Sequence, residues 1–278
     1  MLIDSHHHLW KYSAQQYGWI NDSMSVLKAD YGPRELSEVA QDHGIDGFVA
    51  VQARQCLAEN EALLSAADAE PRILGVVGWV PFAAADVKSE LERSTADARM
   101  KGFRHVVQDE PDDRFLLRDD FNRGIGELVS FDLVYDLLIF AKQLPAAIEF
   151  VDRHPDQRFV LDHIAKPTIG AGEFDEAWER NFRELARREN VDCKFSGVVT
   201  EVRDQPWSID AIRRYFDVAL DAFTPSRLMF GSDWPVCLLQ TRYTRWLETV
   251  RTLASELTDD QRDQFFGGTA ARTYRLNS

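Results

Sequence analysis

The stretch FVLDHIAKP, residues 159–167, has the pattern that decides the fold. A short apolar run is followed at once by an aspartate and a histidine, and shortly afterwards by a lysine and a proline. Runs of this length and composition are typical of strands that are buried on both faces of a parallel sheet. Working outward along the chain, we predict eight such strands, over residues 2–8, 47–52, 73–80, 102–107, 133–140, 158–164, 191–196 and 228–233.

Amphipathic segments separate the predicted strands. In one of them, Trp178, Phe182 and Leu185 recur at the spacing of a helix with one apolar face. Strands that alternate with helices favour a parallel sheet. Eight of them predict a single α/β domain, a (β/α)8 TIM barrel over residues 1–278, with an open doubly wound sheet as the alternative. No G-x-G-x-x-G motif follows any strand, which weighs against a dinucleotide-binding fold.

The composition narrows the choice of partners. Lys and Arg number 32 against 46 Asp and Glu, so the formal net charge is −14. Such a surface repels phosphate backbones and anionic lipid headgroups, and we therefore expect no nucleic acid and no membrane as partners. The three cysteines suggest neither a disulfide framework nor a zinc knuckle, and the sequence has no signal peptide pattern. We expect a cytoplasmic protein, which is either a monomer or a homo-oligomer.

In a parallel barrel, the active site forms at the carboxyl ends of the strands. Residues that can carry chemistry lie at the ends of four predicted strands. They are His6-His7-His8, Arg104-His105, Asp162-His163 with Lys166, and Ser232-Asp233-Trp234. We therefore predict that these groups meet at one mouth of the barrel.

The three histidines of the first strand should point in two directions. Positions two apart share a face of a strand, so His6 and His8 point one way and His7 the other. Two converging imidazoles can bind a metal ion or polarise a carbonyl group. A tag remnant or an exposed polar run is the alternative, but the histidines directly follow Leu2-Ile3-Asp4, which makes a poor tag.

Asp233, at the end of the last strand, is the candidate general base, because a carboxylate beside imidazoles can take a proton from water. A helix-capping or turn aspartate is the alternative. By strand alternation, Asp162 and His163 should point to opposite faces, and His163 adds a third imidazole if it faces the lumen. Lys166 would then meet a substrate oxygen; otherwise His163 is a core histidine and Lys166 a surface lysine.

Arg104 lies within an otherwise apolar strand, where an unpaired guanidinium is costly. It must bind substrate or pair with Asp136 or another carboxylate, and its neighbour His105 is a second candidate for substrate binding. A binuclear metal centre would need a bridging lysine on the strand at 102–107 and a histidine on the next strand, at 133–140, and neither is present. We therefore expect at most one metal ion.

The first loop, residues 9–30, is long and rich in aromatic side chains such as Trp10. Aromatic faces stack against sugar rings, so this loop could form part of a binding lid. A separate hydrophobic cluster beneath the loop is the alternative. Gln52 and Trp234 are weaker candidates for lining a substrate pocket.

Taken together, these motifs resemble those of the amidohydrolase superfamily, over essentially the whole chain. They are DSHHHLW at 4–10, VQA at 51–53, GFRH at 102–105, LDHIAKP at 161–167, CKFSG at 193–197 and MFGSDWP at 229–235. More narrowly, the sequence is similar to amidohydrolase-related lactonases, which include sugar lactonases, sulfomuconolactonase and pyrone-dicarboxylate lactonase. The resemblance implies that His6, His8, His163 and Asp233 line the reaction centre.

The resemblance further implies hydrolysis of a small lactone. Water would attack the carbonyl carbon, with Asp233 taking its proton and passing it to the leaving ring oxygen. The histidines, or one divalent metal ion held by His6, His8, His163 and Asp233, would stabilise the oxyanion, and zinc is the metal that such a ligand set favours. The acidic composition and the aromatic loop favour a neutral sugar lactone over a dicarboxylate. Among sugar lactones, the resemblance implies one from a deoxy sugar, a fucono- or rhamnonolactone.

Two other functions fit the same residues less well. A metal-dependent decarboxylase of an aromatic or unsaturated acid would share the four site residues but release carbon dioxide. A non-catalytic sugar-binding protein would leave four convergent catalytic-type groups unexplained. Covalent catalysis is disfavoured because the chain has no G-x-S-x-G elbow.

Overall fold

Eight parallel strands form the centre of the structure. The computed structural model describes residues 1–170, 174–203 and 205–276. The strands lie side by side in sequence order, each hydrogen-bonded to the next. They are β1 Ile3–His7, β2 Gly47–Val51, β3 Ile73–Gly78, β4 Met100–Val106, β5 Val134–Leu138, β6 Arg158–Leu161, β7 Val191–Phe195 and β8 Leu228–Phe230.

The last strand closes onto the first. The backbone N–H of Asp233 donates to the carbonyl of His6 at 2.8 Å, and the N–H of His8 donates to the carbonyl of Trp234 at 2.7 Å. Because the sheet closes on itself, the fold is a single-domain TIM barrel, as predicted, and the open doubly wound alternative is wrong.

A helix follows each strand and packs against the outside of the barrel. In chain order these are α1 Pro33–His43, α2 Leu57–Ala69, α3 Val87–Ser94, α4 Asp119–Leu128, α5 Leu144–Arg153, α6 Glu176–Ala186, α7 Ile209–Phe223 and α8 Tyr243–Leu253. The predicted apolar face is buried in α6, where Trp178, Phe182 and Leu185 pack inward. Within the described residues, no helix has the length and apolar character needed to cross a membrane.

Short helical segments close the amino-terminal end of the barrel. They are α9 Asp259–Asp263, a π-helical turn over Gln264–Gly268 and α10 Thr269–Thr273. Tyr274 follows α10, is buried, and donates its hydroxyl to Oδ1 of Asp136 in the barrel interior at 2.8 Å. Side chains therefore fill this end, and the carboxyl ends of the strands are left to form a site.

Two strands end earlier than predicted. The other six match their predicted bounds to within two residues, but β6 ends at Leu161 and β8 at Phe230, each three residues early. The polar residues that follow these two strands therefore lie in irregular backbone. Strand alternation does not govern where those residues point.

Candidate active site

A cavity of about 340 Å³ opens at the carboxyl ends of the strands. Five of the residues that the sequence singled out line it: His8, Arg104, His163, Lys166 and Asp233. Its volume is at the lower end of the range of roughly 300–1,000 Å³ that is typical of small-molecule sites. The structure thus brings residues from the ends of four strands to one place.

His6 and His8 share one face of β1, as predicted. Their Nε2 atoms lie 3.3 Å apart, and Oδ1 of Asp233 lies 3.8 Å from Nε2 of His6 and 3.3 Å from Nε2 of His8. Nδ1 of His8 lies 2.8 Å from the carbonyl of Val51. A carbonyl can only accept, so Nδ1 of His8 carries the proton and Nε2 keeps its lone pair. His7 points away, with its ring against that of Phe48 at 5.1 Å.

Asp233 is held in a left-handed backbone conformation, with φ of 58°. Burial alone would raise the pKa of its carboxyl group, but His163 and His8 outweigh this effect and hold that pKa below its ordinary value. The carboxylate is therefore ionised near neutral pH. An ionised carboxylate beside two imidazoles can accept a proton or bind a metal ion.

The segment after β6 is a tight turn in which four consecutive non-glycine residues, 163–166, have positive φ. The turn brings Oδ1 of Asp162 to 3.2 Å from Nδ1 of His6, and the ring of His163 to 4.4 Å from the ring of His6, measured between centroids. The prediction that Asp162 and His163 point to opposite faces is wrong, because β6 has already ended at Leu161. Both side chains face His6.

Gly197 and Ser196 support His163 from β7. The hydroxyl of Ser196 lies 2.9 Å from Nδ1 of His163. Burial lowers the pKa of His163 to about 4, so its imidazole is neutral near pH 7. Gly197 has φ of +65°, and a Cβ there would lie 2.7 Å from Nδ1 of His163 and 3.0 Å from Oδ2 of Asp233. Only glycine leaves these two groups in place.

Arg104 forms an ion pair with a carboxylate, as one of its two predicted alternatives required, and the other alternative, substrate binding, stays a prediction. It lines the cavity, and its Nη1 donates to Oδ2 of Asp162 at 3.0 Å. Its Nη2 donates to the carbonyl of Gln52 at 2.5 Å, so Gln52 holds the guanidinium in place from the side. Asp136 pairs instead with Lys194, at 2.5 Å between Oδ2 and Nζ. Our reasoning from the sequence missed Lys194, although a lysine inside an apolar strand is the same signal that found Arg104.

Asp4 is a second residue that the sequence reasoning missed. Its Oδ1 accepts the backbone N–H groups of His6 at 3.2 Å and Ser232 at 2.8 Å, and its Oδ2 accepts the hydroxyl of Tyr243 at 3.1 Å. Burial raises the pKa of this carboxyl group to about 6, although those hydrogen bonds oppose the shift. Asp4 therefore ties the end of β1 to the segment that carries Asp233.

Four of the six predicted substrate-binding residues do not line the cavity, and one of them is Gln52, whose carbonyl holds Arg104 instead. His105 lies on the outer face of β4, where its Nε2 is 2.7 Å from Oε1 of Glu110 and its ring stacks on Phe115. Trp10 is buried in the separate hydrophobic cluster beneath the first loop, which was its alternative placement. Trp234 is also buried and packs against Tyr31, the residue that follows that loop. Trp19, from the same loop, does line the cavity.

Comparison with known proteins places this geometry in a family. Residues 3–276 match the family model described as Amidohydrolase. The chain belongs to the amidohydrolase family. An L-fucono-1,5-lactonase of Burkholderia multivorans is 42% identical to this amidohydrolase over 99% of this chain and 96% of its own. An L-fucono-1,5-lactonase of Burkholderia ambifaria is 32% identical, again over 99% of this chain and 96% of its own.

A solved structure adds a metal to the comparison. The crystal structure of an amidohydrolase from Burkholderia multivorans with bound zinc superposes with a TM-score of 0.95, at 41% identity and with both chains fully covered. In the present amidohydrolase, His6, His8 and Asp233 offer three ligand atoms that all lie within 4.8 Å of one another. His8 and Asp233 also line the cavity, so one side of the group is open. Two imidazoles, a carboxylate and an open position are typical of a catalytic zinc site, and the residues fit such an ion.

Proposed function

We propose that this amidohydrolase hydrolyses a small, neutral, sugar-derived lactone, such as a fucono- or rhamnonolactone. The observation that carries the proposal is the ionised carboxylate of Asp233, which lies beside His6 and His8 and is open to a cavity of small-molecule size. Full-length similarity to two proteins named as L-fucono-1,5-lactonases supports the choice of substrate class.

In the proposed mechanism, Asp233 takes a proton from a water molecule, whose oxygen attacks the lactone carbonyl carbon. The bond from that carbon to the ring oxygen then breaks, and Asp233 returns the proton to the leaving oxygen. The guanidinium of Arg104 and the ammonium of Lys166, which both line the cavity, are placed to donate hydrogen bonds to substrate oxygens. Zinc bound to His6, His8 and Asp233 would supply Lewis-acid polarisation of the carbonyl group.

The charges around the cavity favour a neutral substrate over a dicarboxylate. Its three cations are each close to a carboxylate that is already present. The pairs are Arg54 with Glu59 at 2.6 Å, Arg104 with Asp162 at 3.0 Å and Lys166 with Glu201 at 4.0 Å. A dianion would have to compete with these carboxylates and with Asp233 itself. Apolar side chains of the lining, such as Val106 and Leu138, suit the C–H groups of a sugar ring.

A panel of lactones tests the proposal. Ring opening releases a proton near neutral pH, so a pH indicator reports turnover for every lactone alike. We expect neutral aldonolactones to give a higher kcat/KM than pyrone dicarboxylate, and the Asp233→Asn variant to control for spontaneous hydrolysis. A folded enzyme that opens none of the lactones but releases carbon dioxide from an aromatic acid would refute the proposal in favour of a decarboxylase.

A further inference from the structure

Lys194 is a buried, charged side chain to which the proposed mechanism assigns no role. It lies in β7, and its side chain has no exposed surface. Its Nζ lies 2.5 Å from Oδ2 of Asp136, 3.0 Å from Oδ1 of Asp162 and 3.2 Å from Nδ1 of His6. A buried ammonium group is tolerated when its hydrogens find acceptors, and the two carboxylate oxygens supply them.

Lys194 belongs to a balanced set of four charges in the barrel interior. Arg104 donates through Nη1 to Oδ2 of Asp162 at 3.0 Å, and the hydroxyl of Tyr274 donates to Oδ1 of Asp136 at 2.8 Å. Two carboxylates, Asp136 and Asp162, thus face two cations. If the ammonium of Lys194 were removed, only the guanidinium of Arg104 would remain, and of the two carboxylates it pairs with Asp162 and not with Asp136. Breaking a buried ion pair in this way leaves an uncompensated charge.

The orientation of His6 depends on this set of charges. Nδ1 of His6 lies 3.2 Å from Oδ1 of Asp162. Nη1 of Arg104, which can only donate, lies 3.3 Å from Nε2 of His6, so Nε2 is the acceptor and the proton is on Nδ1, where it faces the carboxylate of Asp162. Lys194 is also near Nδ1, but its carboxylate contacts are shorter, and carboxylates are the stronger acceptors. Nε2, without a proton, then faces His8 and Asp233.

We propose that Lys194 is a positioning residue of the active site. By balancing Asp136 and Asp162, it keeps the carboxylate of Asp162 against Nδ1 of His6, so that the lone pair of Nε2 points towards His8, Asp233 and Nη1 of Arg104. The inference rests on the proposed function, because it assumes that His6 takes part in lactone hydrolysis. The same Nε2 is a ligand atom in the candidate zinc site, so Lys194 also governs metal affinity. The outer partners of a ligating histidine typically contribute about 10–100-fold to metal affinity or activity.

The test compares Lys194→Met with the double variant Lys194→Met/Asp136→Asn. Methionine keeps a long buried side chain but removes the charge, and asparagine then removes the carboxylate left without a cation. For Lys194→Met we expect zinc affinity, measured by competition with a chelator, to fall about 10–100-fold, and kcat to fall with KM little changed. In the double variant most of the zinc affinity should return, because no buried carboxylate is then left without a cation.

Two controls separate positioning from packing. Lys101→Met replaces another lysine of the barrel sheet, in β4 and bonded to the carbonyl of Arg275 at 3.2 Å, and should leave zinc affinity unchanged. Nitrogen-15 NMR of the imidazoles in metal-free protein reports the tautomer of His6, whose signals are identified by their loss in a His6→Asn variant. We expect an Nδ1–H tautomer in the wild type and a changed or mixed one in Lys194→Met.

Each outcome decides the proposal. Unchanged zinc affinity and an unchanged His6 tautomer in a folded Lys194→Met protein would overturn it, and so would equal losses in the single and double variants. If only the double variant folds, charge balance is supported; if neither folds, Lys194 serves the fold and the proposal is overturned. A wild-type enzyme that opens no lactone would end the proposed function, while zinc affinity and the His6 tautomer would still decide the part played by Lys194.

Discussion

Replacing Gly197 by alanine would test whether the site depends on the close approach of the β7 backbone. A Cβ at this position would lie 2.7 Å from Nδ1 of His163, about 0.7 Å short of ordinary contact, and 3.0 Å from Oδ2 of Asp233. His163 cannot yield freely, because its Nδ1 is bonded to Ser196 and its ring packs on that of His6. A displacement of about 1 Å in a reacting group can cost roughly 10²-fold in rate. We therefore expect kcat/KM to fall about 10–100-fold.

Gly44→Ala is the matched control for this substitution. Both glycines have φ of +65°, but a Cβ at Gly44 meets nothing within 4 Å. A left-handed conformation costs an alanine about 1–2 kcal/mol, partly offset by the lower entropy of the unfolded chain. Gly44→Ala should therefore lose about 1 kcal/mol of stability, a fall in Tm of roughly 2–4 °C, and Gly197→Ala should lose more, because its Cβ also overpacks the buried site. Only Gly197→Ala should also lose activity.

The assay is turnover of the best lactone of the panel, with thermal unfolding measured on the same preparations. A larger fall in Tm for Gly197→Ala than for Gly44→Ala, with the loss of kcat/KM confined to Gly197→Ala, would support the geometry. Gly197→Ala with the activity of Gly44→Ala would refute it, since His163 and Asp233 would then tolerate a methyl group between them.

Three further predictions concern the base, the metal and stability. Asp233→Asn should fold normally and lose about 10²–10⁴-fold in kcat; near-normal turnover would rule out Asp233 as the base. Protein purified without added metal should contain at most one zinc per chain by elemental analysis, with only partial loss of activity on chelation; two tightly bound ions would contradict the ligand assignment. The guanidinium of Arg72 lowers the pKa of Glu70 to about 2, from an ordinary value of 4.5, so Glu70 stabilises the fold above about pH 4.5 and loses this effect as the pH falls toward 2. Glu70→Gln should therefore lower the Tm more at pH 7 than at about pH 3.5; equal losses would contradict this pairing.

Local patterns along the chain were sufficient to predict the barrel. Short apolar runs and helices with one apolar face repeat at spacings that depend only on strand and helix geometry, so eight strands could be counted directly. The shared face of His6 and His8 followed from the same strand period and is confirmed. The roles of Asp233 and His163, and the need for a metal, stay predictions.

Tertiary structure decided the rest of the site, because its contacts join residues far apart in the chain. The turn after β6 breaks strand alternation, so Asp162 and His163 both face His6, against expectation. The choice of partners for buried charges also depended on barrel closure: Asp136 pairs with Lys194, 58 residues away, and Arg104 with Asp162. The spacing of residues along a strand or helix does not predict which cation will lie beside which carboxylate. Those side chains come close together only when the strands have closed into a barrel.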